Sequence, residues 1–357
     1  MRQESCSGLH ARRANNTSAI DLAQRQGRSA CQNFIDDCSE RRRVGPEHGL
    51  GVTQRSAGRV GHPGAEVGWL TLRMKITRIQ TGWVQIKRYH QQARYDTRLA
   101  RAWDVLTSRE WTKRLPIYCW LIEHPEGLAM IDTGESAHAN DPGYQPWWHP
   151  FMQTCERRWV APEEEVSAQL RSLGHDPGDV RWVVMTHMHG DHAGGLPNFP
   201  KSEVLFSAEQ KRLALSGTGP AQGYLNMHYP RWLSPRVIAF DAGGWETFET
   251  NAKLTRDGAI RIVPTPGHTP GHVSVVVENN DRLIFIAGDA AYSEGALLAG
   301  TVDGVAYSAA AHKDTTARIR GLCARRTVIT QFAHDEDNAR RFEGNIATVV
   351  EHRKTKV

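Results

Sequence analysis

Thr186-His187-Met188-His189-Gly190-Asp191-His192, followed by Ala193-Gly194-Gly195, is the stretch from which the rest of the chain is read. Three histidines and an aspartate stand within it at alternate or adjacent places. The apolar run Arg181-Trp182-Val183-Val184-Met185 just before it reads as a short buried strand that ends where the histidines begin. A strand end followed by small residues is a loop that can turn its side chains around an ion. Neutral imidazole nitrogens and a carboxylate suit zinc and similar divalent metals.

Upstream, 162–173 predicts a helix. Pro162 fits its first position, Glu163-Glu164-Glu165 suit the positive end of the dipole, and Val166, Leu170 and Leu173 share a face before the stop at Gly174. Residues 117–122 and 128–131 predict a hairpin that ends in Asp132-Thr133-Gly134, again a carboxylate at a strand end. Ile76, Ile79, Val84 and Ile86 predict an earlier hairpin turning near Thr81-Gly82, and 103–111 carries no regular pattern. The segment 135–160, with Trp147-Trp148 and Phe151, either covers the core or walls a pocket.

Downstream, strands are expected at 203–206, 260–263, 273–277, 283–286 and 327–331, and a closing helix carries Phe342, Ile346, Val349 and Val350 on one side. The turn Pro264-Thr265-Pro266-Gly267-His268-Thr269-Pro270-Gly271-His272 holds His268 rigidly. Asp289 and His334 follow two of the other strands. Strands mixed with helices, and ligand-type residues gathered at strand ends, give an α/β fold class. His228, alone among aromatics, is not taken as a ligand.

Of 357 residues, 39% are apolar and 23% charged, which predicts a soluble globular protein. A net charge of +5 with no arginine-rich helix argues against a nucleic-acid partner, and no apolar run is long enough to cross a membrane. The six cysteines lack Cys-x-x-Cys spacing and no export signal opens the chain, so reduced thiols and a cytoplasmic location are expected. Residues 1–73 are arginine-rich and lysine-free, and the first lysine is Lys75. They are expected to be a disordered extension or sequence upstream of a true start at Met74, with the catalytic domain over 74–357. Peptides from 1–73 in the native protein would refute the second reading.

His187, His189, Asp191 and His192 form a His-x-His-x-Asp-His signature, and His268, Asp289 and His334 follow in order. Together they resemble the metallo-β-lactamase superfamily, over about Met74 to the C-terminus. The resemblance implies an αββα sandwich and two divalent metal ions, zinc by default. His187, His189 and His268 would hold one, Asp191, His192 and His334 the other, and Asp289 would bridge. Within the superfamily the chain looks most like the N-acyl-homoserine lactonases: Ile131-Asp132-Thr133-Gly134, the tyrosine in Asp289-Ala290-Ala291-Tyr292, and the His334-Asp335 pair carry that likeness. The interval from His192 to His268 is long for the smaller members.

What this implies is opening of a lactone ring by a metal-bridging hydroxide. Tyr292 would donate to the oxyanion, and Asp191, or metal-bound water, would give a proton to the leaving oxygen. Asp132 is expected to hold a ligand histidine in one tautomer, and His272 to stand behind the ligands or only to open the next strand, without being a ligand itself. The partner is a small lactone or ester, and homodimerisation stays open. Another ester, a thioester (as in glyoxalase II) or a phosphotriester is the alternative substrate for the same site. A nuclease is disfavoured by the modest charge, and a di-iron redox protein would carry a carboxylate where His189 stands.

Overall fold

The computed structural model describes residues 74–350; the expectations for 1–73 lie outside them. Two mixed sheets stack face to face. The first, in the order β4-β1-β2-β3-β5-β6-β7, joins β1 (Lys75–Ile86), β2 (Leu115–His124), β3 (Gly127–Ile131), β4 (Glu156–Trp159), β5 (Val180–Val184), β6 (Glu203–Phe206) and β7 (Arg236–Val237). The second, β12-β11-β10-β9-β8, joins β8 (Ala252–Lys253), β9 (Ile260–Pro264), β10 (Val273–Asn279), β11 (Arg282–Ile286) and β12 (Val328–Gln331). β3, β5, β6 and β7 run parallel, as do β11 and β12, and the other pairs are antiparallel.

The two-residue period of a strand sorts the apolar side chains into layers. Tyr118, Trp120 and Ile122 of β2 point between the sheets, to meet Ile262, Val275 and Ile284 in the central core. Their neighbours Cys119 and Leu121 point outward beneath the helix Val166–Ser172, with Val166 and Leu170. On the far side Val276 and Phe285 pack under Ile319 and Leu322 of the helix Ala309–Arg325. This is an αββα sandwich, in agreement with the sequence. Because β2 is buried on both faces, it reads as an unbroken apolar run.

Four local expectations are corrected. The segment 76–86 is one strand, not a hairpin: its register slips between Gln80 and Trp83, and Gly82, at φ +110°, makes a bulge. A Cβ at Gly82 would lie 2.5 Å from the Trp159 carbonyl, so β4 approaches where a turn was expected. The helix over 162–173 is split by Glu165 at ψ 144°, whose carboxylate accepts from the Ala137 N–H at 2.8 Å, and Leu173 is exposed. The unassigned stretch near 103 is the helix Arg98–Thr107. The closing helix, Asn338–Glu343, stops before Gly344. Ile346 and Val349 are exposed, and Thr348 donates instead to the Val328 carbonyl at 2.8 Å.

Among the described residues no helix is long and apolar enough to cross a membrane.

Candidate metal centre

The C-terminal ends of β3 and β5 in the first sheet, and the β9–β10 turn with the ends of β11 and β12 in the second, meet at one edge of the sandwich. There the structure brings together His187, His189, Asp191, His192, His268, Asp289 and His334, in three overlapping groups whose ligand-type atoms lie within 4.8 Å of one another.

Asp132 organises the first sheet's share. It follows β3 at φ +58°, a left-handed conformation that aspartate tolerates better than most residues. Its Oδ1 accepts the Thr186 N–H at 2.7 Å, and its Oδ2 accepts the Thr186 hydroxyl at 2.7 Å and His192 Nδ1–H at 2.8 Å. The loop after β5 is thereby fixed to the end of β3.

The outer nitrogens of the histidines decide what the inner ones present. His189 Nε2 meets only the Gln222 carbonyl, at 3.2 Å, so it carries the proton. His268 Nδ1 faces the Asp303 carboxylate at 3.2 Å. His187 Nδ1 lies 3.2 Å from the Thr186 oxygen, whose own proton is given to Asp132. In the neutral rings the inner nitrogens are therefore bare. His187 Nε2 and His268 Nε2 each lie 3.1 Å from His189 Nδ1, so three lone pairs converge on one point. They repel unless a cation lies between them.

The neighbouring group is built the same way. His192 Nδ1 is held by Asp132, and His334 Nδ1 by the Pro116 carbonyl at 2.9 Å. His334 Nε2 is 3.3 Å from Asp191 Oδ2 and 3.5 Å from Asp289 Oδ1, and His192 Nε2 is 3.5 Å from the same Asp289 oxygen. Asp289 Oδ2 turns the other way, 3.6 Å from His268 Nε2. His192 Nε2 and Asp289 Oδ1 are buried without a hydrogen-bond partner. This donor set fits two divalent ions sharing one carboxylate.

The electrostatics agree. Burial lowers the His187 pKa well below its ordinary value and that of His189 to about 3. Burial also disfavours charge on His334 and His192, but the Asp289 and Asp191 carboxylates outweigh it, raising His334 to about 10 and His192 well above its usual value. Burial would raise Asp289, yet His334 and His192 hold it well below the carboxylate range. The cluster demands positive charge, from protons or from metal.

His272 stands behind the cluster: Nδ1 is bonded to the Thr265 hydroxyl at 2.9 Å, and Nε2 accepts the Asp289 N–H at 3.1 Å. His228 stacks on Tyr144, away from the group. Another grouping, His124, Glu126 and Asp257, offers no free imidazole nitrogen: Nδ1 accepts the Glu126 N–H at 3.1 Å, and Nε2 meets Asp257 at 3.0 Å.

A cavity of about 270 Å³ opens over the cluster, lined by His189, Asp191, His268, Asp289, Tyr292 and His334 and, on its apolar side, by Val84, Ile86, Leu106, Phe151 and Met152. Phe151 and Tyr224 are wall residues, whereas Trp147 is 86% exposed and Trp148 and Trp232 also face solvent. Tyr292 stacks on His334 with ring centres 5.4 Å apart, and its hydroxyl is hydrogen-bonded to His90 Nε2 at 2.9 Å. Burial raises the Tyr292 pKa well above its usual value, with Asp289 and Asp303 adding to it, so the phenol keeps its proton.

Sequence reasoning missed His90 and Asp303, and also the buried pair Glu135 and Arg158 with the half-buried Glu156 beside them. Arg158 Nε lies 2.8 Å from Glu135, and burial raises the Glu135 pKa to about 7 against that cation. None of these residues sits in a recognisable spacing; only the folded chain brings His90, Glu156 and Arg158 to the cavity, with Asp303 behind His268 and Glu135 behind Arg158.

Residues 112–324 match the family model described as the metallo-beta-lactamase superfamily. The N-acyl homoserine lactonase AttM of Azorhizobium caulinodans is 30% identical over 237 residues, covering 62% of this chain and 83% of that relative. AttM of Rhizobium radiobacter is 31% identical, covering 54% of this chain and 74% of the relative. A probable metallo-hydrolase of Mycobacterium tuberculosis is 30% identical over 50% of this chain, and the match spans only 57% of that protein's length. The solved structure of an N-acyl homoserine lactone hydrolase, with N-hexanoyl-L-homoserine bound at its catalytic metal centre, is similar at a TM-score of 0.59 and 19% identity. That likeness covers 78% of this chain and 98% of that one, and at this identity it speaks of the fold alone.

Proposed function

This chain belongs to the metallo-β-lactamase superfamily, and on that premise we propose that it is a metal-dependent hydrolase that opens the lactone ring of N-acyl-homoserine lactones, a quorum-quenching activity. The observation that carries the hydrolytic reading is Asp289, with one oxygen toward His268 and the other toward His192 and His334. The relatives named as lactonases supply the substrate class. His187, His189 and His268 would hold one ion, Asp191, His192 and His334 a second, and Asp289 both; zinc suits this set.

Divalent ions at this centre would polarise the lactone carbonyl and make water acidic enough to supply a nucleophile near neutral pH. The rest of the work falls to the chain. Asp191, at the cavity wall, would accept a proton from the attacking water and return it to the ring oxygen as the carbon–oxygen bond breaks. Tyr292 would donate a hydrogen bond to the carbonyl oxygen as charge gathers there. Ile86, Leu106 and Phe151 would take the acyl chain. The products are one hydroxy acid and, at neutral pH, one released proton.

The test is the purified chain with its metals counted, supplied with a homoserine lactone series and followed by proton release. The expected result is hydrolysis with two ions per chain, abolished by His189→Ala and by Asp289→Ala. Intact lactones alongside turnover of thioesters, aryl esters or phosphotriesters would overturn the substrate and leave the hydrolase.

A further inference from the structure

We propose that His90 is a positioning residue for Tyr292: its imidazole donates Nε2–H to the phenol oxygen and so turns the Tyr292 proton toward substrate in the cavity. The inference rests on the hydrolytic reading of the site.

His90 lies on the helical turn Arg88–Gln91, which leaves β1 at the cavity wall. Its backbone is fixed at both ends: its N–H donates to the Lys87 carbonyl at 2.9 Å, and its carbonyl accepts the Gly304 N–H at 2.7 Å. The ring is packed on Phe151, with centres 5.0 Å apart, and meets Tyr292 edge-on at 5.9 Å and 87°. Both His90 and Tyr292 line the cavity that holds Asp191 and Asp289.

The 2.9 Å contact between His90 Nε2 and the Tyr292 hydroxyl allows two proton arrangements. In one, Tyr292 gives its proton to Nε2, and Nδ1 then carries the ring's hydrogen. In the other, Nε2 carries the hydrogen and donates it, and Nδ1 is bare. The surroundings distinguish them, because His90 Nδ1 is buried and meets no hydrogen-bond partner among the described residues. A buried N–H with no acceptor is rarer and costlier than an unpaired acceptor. The second arrangement therefore wins. Burial supports it by keeping the imidazole neutral, with a pKa lowered to about 4.

The consequence falls on Tyr292. With its oxygen occupied by an incoming N–H, the phenol proton has no acceptor among the described residues and turns to the cavity. Stacking on His334 fixes the ring plane. A hydroxyl that accepts one hydrogen bond also donates a stronger one. His90 would thus act on the oxyanion through Tyr292, without touching substrate.

Two measurements decide it. Nitrogen-15 NMR of the chelated full-length protein, with the His90 signals assigned by their loss in His90→Gln, is expected to show Nε2 protonated and Nδ1 bare. The opposite tautomer overturns the proposal, and this arm does not depend on turnover. The second is a cycle of variants in lactone hydrolysis. His90→Phe is expected to lower kcat about tenfold at nearly unchanged KM, the size of one ordinary hydrogen bond expressed as a rate. In a Tyr292→Phe background the same change is expected to cost less than about twofold, because the phenol it acts through is gone. His90→Gln, which keeps an N–H donor, is expected to recover part of the rate. Equal losses with and without the phenol would mark His90 as merely structural. Should the unaltered protein open no lactone, the substrate reading falls, while the NMR result still decides the tautomer.

Discussion

Asp132→Asn keeps the size and shape of the side chain and removes one acceptor. Asp132 takes three hydrogens, from the Thr186 N–H, the Thr186 hydroxyl and His192 Nδ1–H, all between 2.7 and 2.8 Å. An amide has a single acceptor oxygen. If that oxygen stays with the Thr186 backbone, the amide nitrogen faces His192 Nδ1 and two N–H groups collide. Reversing the amide moves the same collision to Thr186. Relief comes when His192 shifts its proton to Nε2, which removes the lone pair that would hold a metal ion beside Asp191 and Asp289. Backbone strain does not confuse the result, since asparagine tolerates the φ of +58° as aspartate does. Partners behind a metal ligand are worth about 10–100-fold in affinity, or about 1.4–2.7 kcal/mol. Competition against a fluorescent zinc chelator, with circular dichroism to check the fold, is expected to show a weakening of that size confined to one of two ions. An unchanged second affinity in a folded variant would refute the claim that Asp132 sets the His192 tautomer.

Other expectations follow from the same geometry. Chelation is expected to lower the melting temperature, and re-addition of zinc to restore it; at about 1,000 times the dissociation constant the linkage is worth about 4 kcal/mol, read by calorimetry. Gly288→Ala is expected to destabilise the protein and lower metal content, because its φ is +55° and a Cβ would lie 2.8 Å from Thr186 Oγ1 and 3.0 Å from His272 Nε2. Urea unfolding and metal analysis check both effects. His90 is expected to contribute to acid lability of the metal-free protein. Burial lowers its folded pKa to about 4 from an ordinary 6.5, so protonation favours the unfolded chain. Its contribution is intact above pH 6.5 and lost as pH falls towards 4, at about 3 kcal/mol in full. His90→Phe in chelator is expected to flatten that part of the pH profile; an unchanged slope would refute the assignment.

The cluster was legible because its members sit at strand ends, and strand ends can be read. His187, His268, Asp289 and His334 each follow or precede a β-rich run, and the structure gathers all four. Asp132 and His272 also stand at strand ends, where Asp132 accepts from His192 Nδ1–H and His272 Nε2 accepts the Asp289 N–H. The errors have equally local causes. Thr81-Gly82 carries the positive φ of a turn, but a bulge needs it too, and only the approach of β4 tells them apart. Glu165 is an ordinary helix residue until the Ala137 N–H, remote in sequence, claims its carboxylate. His90 and Asp303 carry no pattern of their own. Their neighbours are Tyr292 and His268, some 200 and 35 residues away, and such pairing is a property of the folded chain.

The division of the cluster between the sheets has a wider consequence. Asp132, His187, His189, Asp191 and His192 hang from the first sheet, and His268, Asp289 and His334 from the second. Metal bound there would act as a clasp across the seam of the sandwich. Its escape rate would then report on how tightly the two layers are pressed together. A substitution deep in that seam, at Val275 or Ile262, would be felt by a chelator well before the protein unfolds. Metal retention is in that sense a gauge of interior packing, and variants could be ranked by it without knowing what the enzyme hydrolyses.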